Sequence, residues 1–270
     1  MTDATLRNEL NVASLLALEA GKRILRHLEG QIEVGYKENG EVVTDADREA
    51  NHIIRKGLST AFPEDAIYSE ETADSPQRLS NSRVWIVDPL DGTSNFIARG
   101  DEFSVSIGLS INGKAVLGVV YNPTRDELFA GGVGLGITRN GIAVRVTETG
   151  DISQAQISAS KKELAELAKL NPDLKLVPIT GMAYKLSRVA AGQEDGALSK
   201  KRRKEWGSCA GVALVLAAGG KATLLDGSDI CFNKVEQKQP LSMLAAGARL
   251  HPLLLHALKH LLDDIPEKPR

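Results

Sequence analysis

Two aspartates, Asp88 and Asp91, stand three residues apart in the run Trp85-Ile86-Val87-Asp88-Pro89-Leu90-Asp91-Gly92-Thr93-Ser94-Asn95-Phe96. An apolar, strand-like segment leads into them. Pro89 fixes the backbone between the two carboxylates, so a tight turn that aims both at one point is expected. Magnesium and manganese favour hard oxygen ligands of this kind, completed by water or a substrate phosphate. Gly92 lets the backbone approach a ligand closely, and Thr93 adds a hydroxyl beside it. A helix starting here would turn its unpaired N–H groups toward a phosphate. The run reads as a meeting place for metal, water and phosphate.

Two further acidic positions gain meaning beside it. Val43-Thr44-Asp45-Ala46-Asp47 opens a helical pattern, and Ser69-Glu70-Glu71-Thr72 follows the apolar pair Ile67-Tyr68. Taken singly, an aspartate near a helix start is a cap and paired glutamates are solvated surface. The elements that must carry these residues can be traced. Leu6, Leu10, Ala13, Ala17, Ala20, Ile24 and Leu28 form one helical stripe over 4–28, closed by Gly30. The spacing predicts a second helix over 45–61, with Ala50, Ile53, Ile54 and Leu58 facing inward. Strands are expected at 84–87, 103–109 and 116–121, the last two joined by an Asn112-Gly113 turn, then near 126–130, 135–139 and 142–147. A polar stretch at Glu148–Gln154 marks the expected boundary between an N-terminal metal-bearing half, 1–150, and a C-terminal half covering the substrate, 151–270. That second half should hold strands near 155–159 and 195–199 and helices near 161–169, 182–191, 208–218 and 253–262. Helices and strands interleave without a strict βαβ rhythm, which predicts a layered α+β fold.

The pieces VTDAD, SEET, WIVDPLDGTSNF, FSVSIGLSINGKAVLGVVYNP and GVALVLAAGGKATLLDG together resemble the lithium-sensitive, magnesium-dependent phosphatases, which include inositol monophosphatases and 3′(2′),5′-bisphosphate nucleotidases. The resemblance spans roughly residues 36–227. It implies an alternating αβαβα sandwich, a homodimer, and two or three Mg²⁺ ions, with Mn²⁺ as a possible substitute. It further implies that Glu70, Asp88 and the Leu90 carbonyl hold one ion and that Asp88 and Asp91 hold a second. Thr93 and Asp47 would orient the attacking water, Glu70 would also touch a third ion, and Lys37 and Gly92 would lie near the phosphate. Such ions would neutralise the ester's negative oxygens, acidify bound water and stabilise the leaving alkoxide.

One position departs from the family pattern. The family has an aspartate directly after the tryptophan of its later motif, and that residue completes the second metal. Here the run is Lys204-Glu205-Trp206-Gly207-Ser208-Cys209, with glycine in its place. Three readings stay open: Glu205 or Ser208 reaches round, the second ion binds weakly, or catalysis is lost and a binding protein of the same fold remains. Gly181 and Lys185 lie in the segment that shapes the family's leaving-group pocket. A lysine there looks like the nucleotidase branch, where a second phosphate is held, and Tyr184 would be free to stack on a base. DPLDGTSNF looks more like the inositol branch. The leading expectation is inositol monophosphate hydrolysis, with 3′-phosphoadenosine 5′-phosphate as the alternative substrate.

The bulk composition is that of an ordinary globular enzyme, 42% hydrophobic and 25% charged over 270 residues. A net charge of −2 gives no global attraction to nucleic acid or membrane. The basic run Lys200–Lys204 is expected to be a solvated loop or a collector of a doubly phosphorylated ligand. Two cysteines imply no disulfide framework, and the N-terminus lacks a secretory pattern, so a cytoplasmic protein acting on a small phosphorylated metabolite is expected.

Overall fold

The computed structural model describes residues 4–38, 40–170, 174–239 and 242–258. The N-terminal stripe forms α1 (Ala4–Leu28), with Ala13, Ala17, Ala20 and Ile24 fully buried. A hairpin of β1 (Val34–Tyr36) and β2 (Val42–Thr44) leads into α2 (Asp45–Ala61). α2 starts where it does because Thr44 and Asp47 form a reciprocal capping box that satisfies otherwise orphaned N–H groups. Its Ala50, Ile54 and Leu58 then bury in the same apolar cluster as α1.

The chain continues through β3 (Ala66–Ser69), a 3-10 turn at Pro76–Ser80, β4 (Arg83–Asp91), α3 (Thr93–Ile97), β5 (Ser104–Ile111), β6 (Lys114–Asn122), β7 (Glu127–Gly132), β8 (Gly136–Arg139) and β9 (Ile142–Val144). The strands β3 to β9 lie side by side in chain order as one seven-stranded sheet. Only β3 and β4 run parallel. Residues 145–155 carry the chain to a second sheet built from β10 (Gln156–Ala159), α4 (Lys161–Leu170), β11 (Lys175–Pro178), α5 (Met182–Ala190), β12 (Gly196–Ser199), α6 (Cys209–Ala217), β13 (Gly220–Leu224), β14 (Met243–Gly247) and α7 (His251–Ala257). Its five strands lie in the order β11-β10-β12-β14-β13.

Five layers result: α1 with α2, the larger sheet, α5 with α6, the smaller sheet, and α4 with α7. The fold is α+β, layered as αβαβα. Alternation along the strands serves both faces of the large sheet. Trp85, Val87, Val105, Ile107, Leu117 and Val119 turn toward α1 and α2, whereas Val84, Ile86, Val120 and Phe129 join the cluster that contains α5 and α6. Gly118 lets α6 lie directly on the sheet, since a Cβ there would fall 2.1 Å from the Ala210 carbonyl oxygen. That close approach brings the segment before α6, residues 204–208, against the end of β4.

Several expectations need correcting. Asp88 to Asp91 is no tight turn: β4 runs through Asp91, and its pairing with β5 slips between these two residues. The hairpin β1–β2 and the strands β11, β13 and β14 carry too little alternation to be read from sequence. The last helix begins at His251, ahead of the expected Leu253; residues 259–262 of that expected helix, His260 among them, lie outside the described residues.

Candidate active site

Four carboxylates from three separate elements gather at the end of β4. Asp47 comes from the first turn of α2, Glu70 from the loop after β3, and Asp88 and Asp91 from β4 itself. Parallel pairing sets Glu70: its N–H donates to the Val87 carbonyl at 3.1 Å, continuing the β3–β4 ladder beside Asp88. Asp47 does two jobs. Its Oδ2 accepts from the Thr44 N–H (2.8 Å) and hydroxyl (2.5 Å), the cap expected of an early helical aspartate. Its Oδ1 faces the other way and accepts from the Thr93 hydroxyl at 3.1 Å. The same hydroxyl lies 3.1 Å from the Leu90 carbonyl oxygen. It has one hydrogen to give, so two acceptors compete for it and its lone pairs stay turned outward.

Gly92 makes this possible. It adopts φ +96° as the N-cap of α3, and a Cβ there would sit 2.9 Å from the Glu102 carbonyl oxygen. An L-residue would strain the backbone and collide with its neighbour. Asp88 is 4% exposed, and its Oδ1 accepts from the Leu90 N–H at 3.2 Å. Asp91 ties the two halves together: its Oδ2 accepts from the Ala183 N–H at 2.8 Å, at the start of α5. Gly181, the N-cap of α5 at φ +76°, leaves just enough space, since its Cβ would lie 3.0 Å from that oxygen.

The electrostatics are those of a cage awaiting positive charge. Burial, then repulsion from Glu70, Asp91 and Asp47, pushes Asp88 well above the usual carboxylate range. Burial also raises Asp47, against the lowering effect of the Thr44 and Thr93 hydrogen bonds, and lifts Asp91 to about 6. Lys37 supplies the local counter-charge. Its ammonium donates to Glu70 at 3.1 Å and to Glu71 at 2.6 Å, so it lies against the acids rather than standing free for a phosphate. Burial holds Glu71 at about 7 despite that contact. Glu71 had no sequence signal of its own.

Among the described residues, no three acidic, imidazole or thiol side chains converge closely enough to hold an ion as they stand. The donor chemistry nevertheless suits one hard cation: Glu70, Asp88 and the Leu90 carbonyl oxygen are all oxygen donors in a buried, acidic setting. Above Glu70 opens a groove of about 480 Å³, walled by Lys37, Glu41, Tyr68, Lys204 and Trp206. Lys204 bridges the halves at its rim, holding both Glu41 oxygens at 2.6 Å while its ammonium lies 4.9 Å from the Trp206 ring centre. No local pattern could have paired two residues so far apart in sequence.

On the C-terminal side the sequence-predicted residues fare differently. Gly207 lies beside Asp88, and a Cβ there would be 4.0 Å from Asp88 Oδ2. Glu205 does not reach round to Asp88. Its carboxylate is buried and turned the other way, accepting from the Asn233 N–H (2.7 Å) and the Lys234 N–H (3.0 Å). Ser208 does not reach round either, because its hydroxyl faces the Lys204 and Glu205 carbonyls. Tyr184 cannot stack on a base: it is fully buried and donates to Glu127 at 2.5 Å. Lys185 is a buried cation, 1% exposed. The basic run is mixed: Lys201 and Arg202 are exposed, whereas Lys200, Arg203 and Lys204 are half-buried. Arg202 donates to the Gln239 carbonyl, and Arg203 donates to Ser199 and faces Glu163 at 3.7 Å. Cys209 is a buried packing residue at the start of α6.

Known proteins share this architecture. Residues 5–262 match the model of the inositol monophosphatase family. An inositol-1-monophosphatase of Synechocystis sp. is 31% identical over 265 residues, covering 94% of this chain and 89% of its own. A histidinol-phosphatase of Chlorobaculum parvum is 33% identical over 220 residues, covering 78% and 84%. Among solved structures, the extragenic suppressor protein suhB of Bartonella henselae superimposes with a TM-score of 0.81 at 30% identity, covering 93% of this chain and 98% of that one.

Proposed function

The chain belongs to the inositol monophosphatase family, and on that premise we propose that it hydrolyses a small phosphomonoester with the help of magnesium, for which manganese can substitute. The observation that carries this reading is the relay centred on Thr93, whose hydroxyl lies between two acceptors, Asp47 Oδ1 and the Leu90 carbonyl, with the Leu90 N–H donating to Asp88. A bound ion would supply positive charge to the phosphate oxygens and acidify a water beside it. Glu70, Asp88 and the Leu90 carbonyl would hold that ion. Thr93 accepts a hydrogen from the attacking water while Asp47 takes up the threonine's own, which fixes the water's lone pair on the line toward phosphorus. Gly92 keeps the backbone low enough for a phosphate oxygen to settle at the start of α3. No side chain need become covalently attached; the chain contributes placement and charge.

Inositol monophosphate is the leading substrate, in keeping with the Synechocystis relative's name, although the Chlorobaculum relative's name points to a different phosphomonoester. One observation favours a second reading. Lys185, buried in the half that covers the leaving group, suits a substrate bearing another phosphate, such as 3′-phosphoadenosine 5′-phosphate. Phosphate release from the two esters, measured side by side with magnesium, separates these readings. Failure on both, and on histidinol phosphate, at saturating magnesium would leave a binding protein that keeps the fold. We also place the protein in the cytoplasm as a homodimer, which fractionation and light scattering would test; among the described residues, no helix is long and apolar enough to cross a membrane.

A further inference from the structure

The donor set on the two sides of Asp88 is unequal. Toward Glu70 there are carboxylates and a carbonyl to spare. Toward Gly207 there is room and no ligand. Neither crowding nor backbone geometry demands a glycine here: the nearest atoms to a Cβ at 207 would be the Lys204 carbonyl oxygen at 3.9 Å and Asp88 Oδ2 at 4.0 Å, and the backbone is not left-handed. The neighbours that could compensate are committed elsewhere, Glu205 to two backbone N–H groups and Ser208 to two carbonyls. A second ion placed between Asp88 and Asp91 would therefore find two protein carboxylates, one of them already shared with the first ion.

Positive charge is nonetheless present on that side. Lys185 lies one helical turn beyond Gly181, on the helix whose first turn grips Asp91 through the Ala183 N–H. Among the described residues its ammonium has no hydrogen-bond or ion-pair partner, although Asp91, Glu102 and Glu163 lie within its field. A buried charge without a direct partner is costly, and it persists where the surroundings supply opposite charge. Arg203 is the second cation acting on Asp91; its own ion pair is with Glu163. We propose that Lys185 and Arg203 act as fixed cations on the leaving-group side of the site, in the role that a carboxylate at position 207 would give to a second divalent ion, so that the chain works with one resident ion. The leaving oxygen would then develop its charge facing Lys185. The inference rests on the phosphomonoesterase reading above.

Manganese titrated into metal-stripped protein, without phosphate and followed by calorimetry and electron paramagnetic resonance, tests the ion count. One ion per wild-type chain and two per Gly207→Asp chain is the expected result. Two ions in the wild type, bound as tightly as in Gly207→Asp, would overturn the proposal. Lys185→Met tests the charge. Turnover of an alkyl phosphomonoester should fall about 100-fold, the scale of losing one group that stabilises developing charge, and that of an aryl ester, whose leaving oxygen needs less help, by under about tenfold. Equal losses would overturn it. Thermal unfolding checks that the variant folds. One ion bound by a wild-type chain that releases phosphate from no ester would instead refute the phosphomonoesterase reading, leaving the ion count intact.

Discussion

The N-terminal and C-terminal walls of this site are built to different standards. On the N-terminal side every acidic residue is held by a short, local device: a capping box for Asp47, a parallel ladder for Glu70, a strand end for Asp88. On the C-terminal side the residue beside Asp88 is a glycine, the nearby glutamate points away, and two basic side chains act electrostatically on Asp91. On the proposed reading the difference separates two tasks, with water activation assigned to the first wall and leaving-group stabilisation to the second.

The contrast can be broken most forcefully at Asp88, the residue both walls share. Asp88→Asn should lower phosphate release by well over about 100-fold, since even loss of a group that only orients a metal ligand costs 10–100-fold. Thr93→Val removes the relay on the N-terminal side alone. A loss of about 100-fold in kcat is expected, with KM little changed, as befits a group that handles a proton.

A third prediction concerns the carboxylate that turns away. Burial pushes Glu205 up to about 7 from its ordinary 4.5. Because the folded value exceeds the unfolded one, its contribution to stability is full below 4.5 and is lost as pH rises through 7. Melting curves of wild type and Glu205→Gln should diverge over that window. The wild type should lose ground by about 2–4 °C for each kcal/mol forfeited. Parallel curves would show that Glu205 stays ionised throughout. The smallest effect is expected from Gly118→Ala. The added Cβ would drive α6 off the sheet, costing about 1–3 kcal/mol of stability and shifting residue 207 away from Asp88.

How much of this could be read from the sequence differs between the walls for the same physical reason. The first wall's devices are local. A threonine three residues before an aspartate, two carboxylates closing an apolar strand, and a glycine before a threonine all announce themselves, and so do helices as periodic as α1 and α2. The surroundings of Glu205, Lys185 and Tyr184 come from distant chain, so no local pattern shows them. Asn233 and Lys234 capture Glu205, Glu127 captures Tyr184, and the packing of α5 between two sheets decides that Lys185 is buried. Short strands such as β1, β11 and β13 escaped notice because three to five residues hold too few alternations to stand out. The resemblance supplied the roles of individual residues, which spacing alone did not.

Anomalous scattering from crystals soaked in manganese would test the account most directly. The prediction is a strong peak bounded by Glu70, Asp88 and the Leu90 carbonyl, with Lys37 displaced from Glu70 and no comparable peak beside Gly207. Absence of any peak among those carboxylates would contradict it.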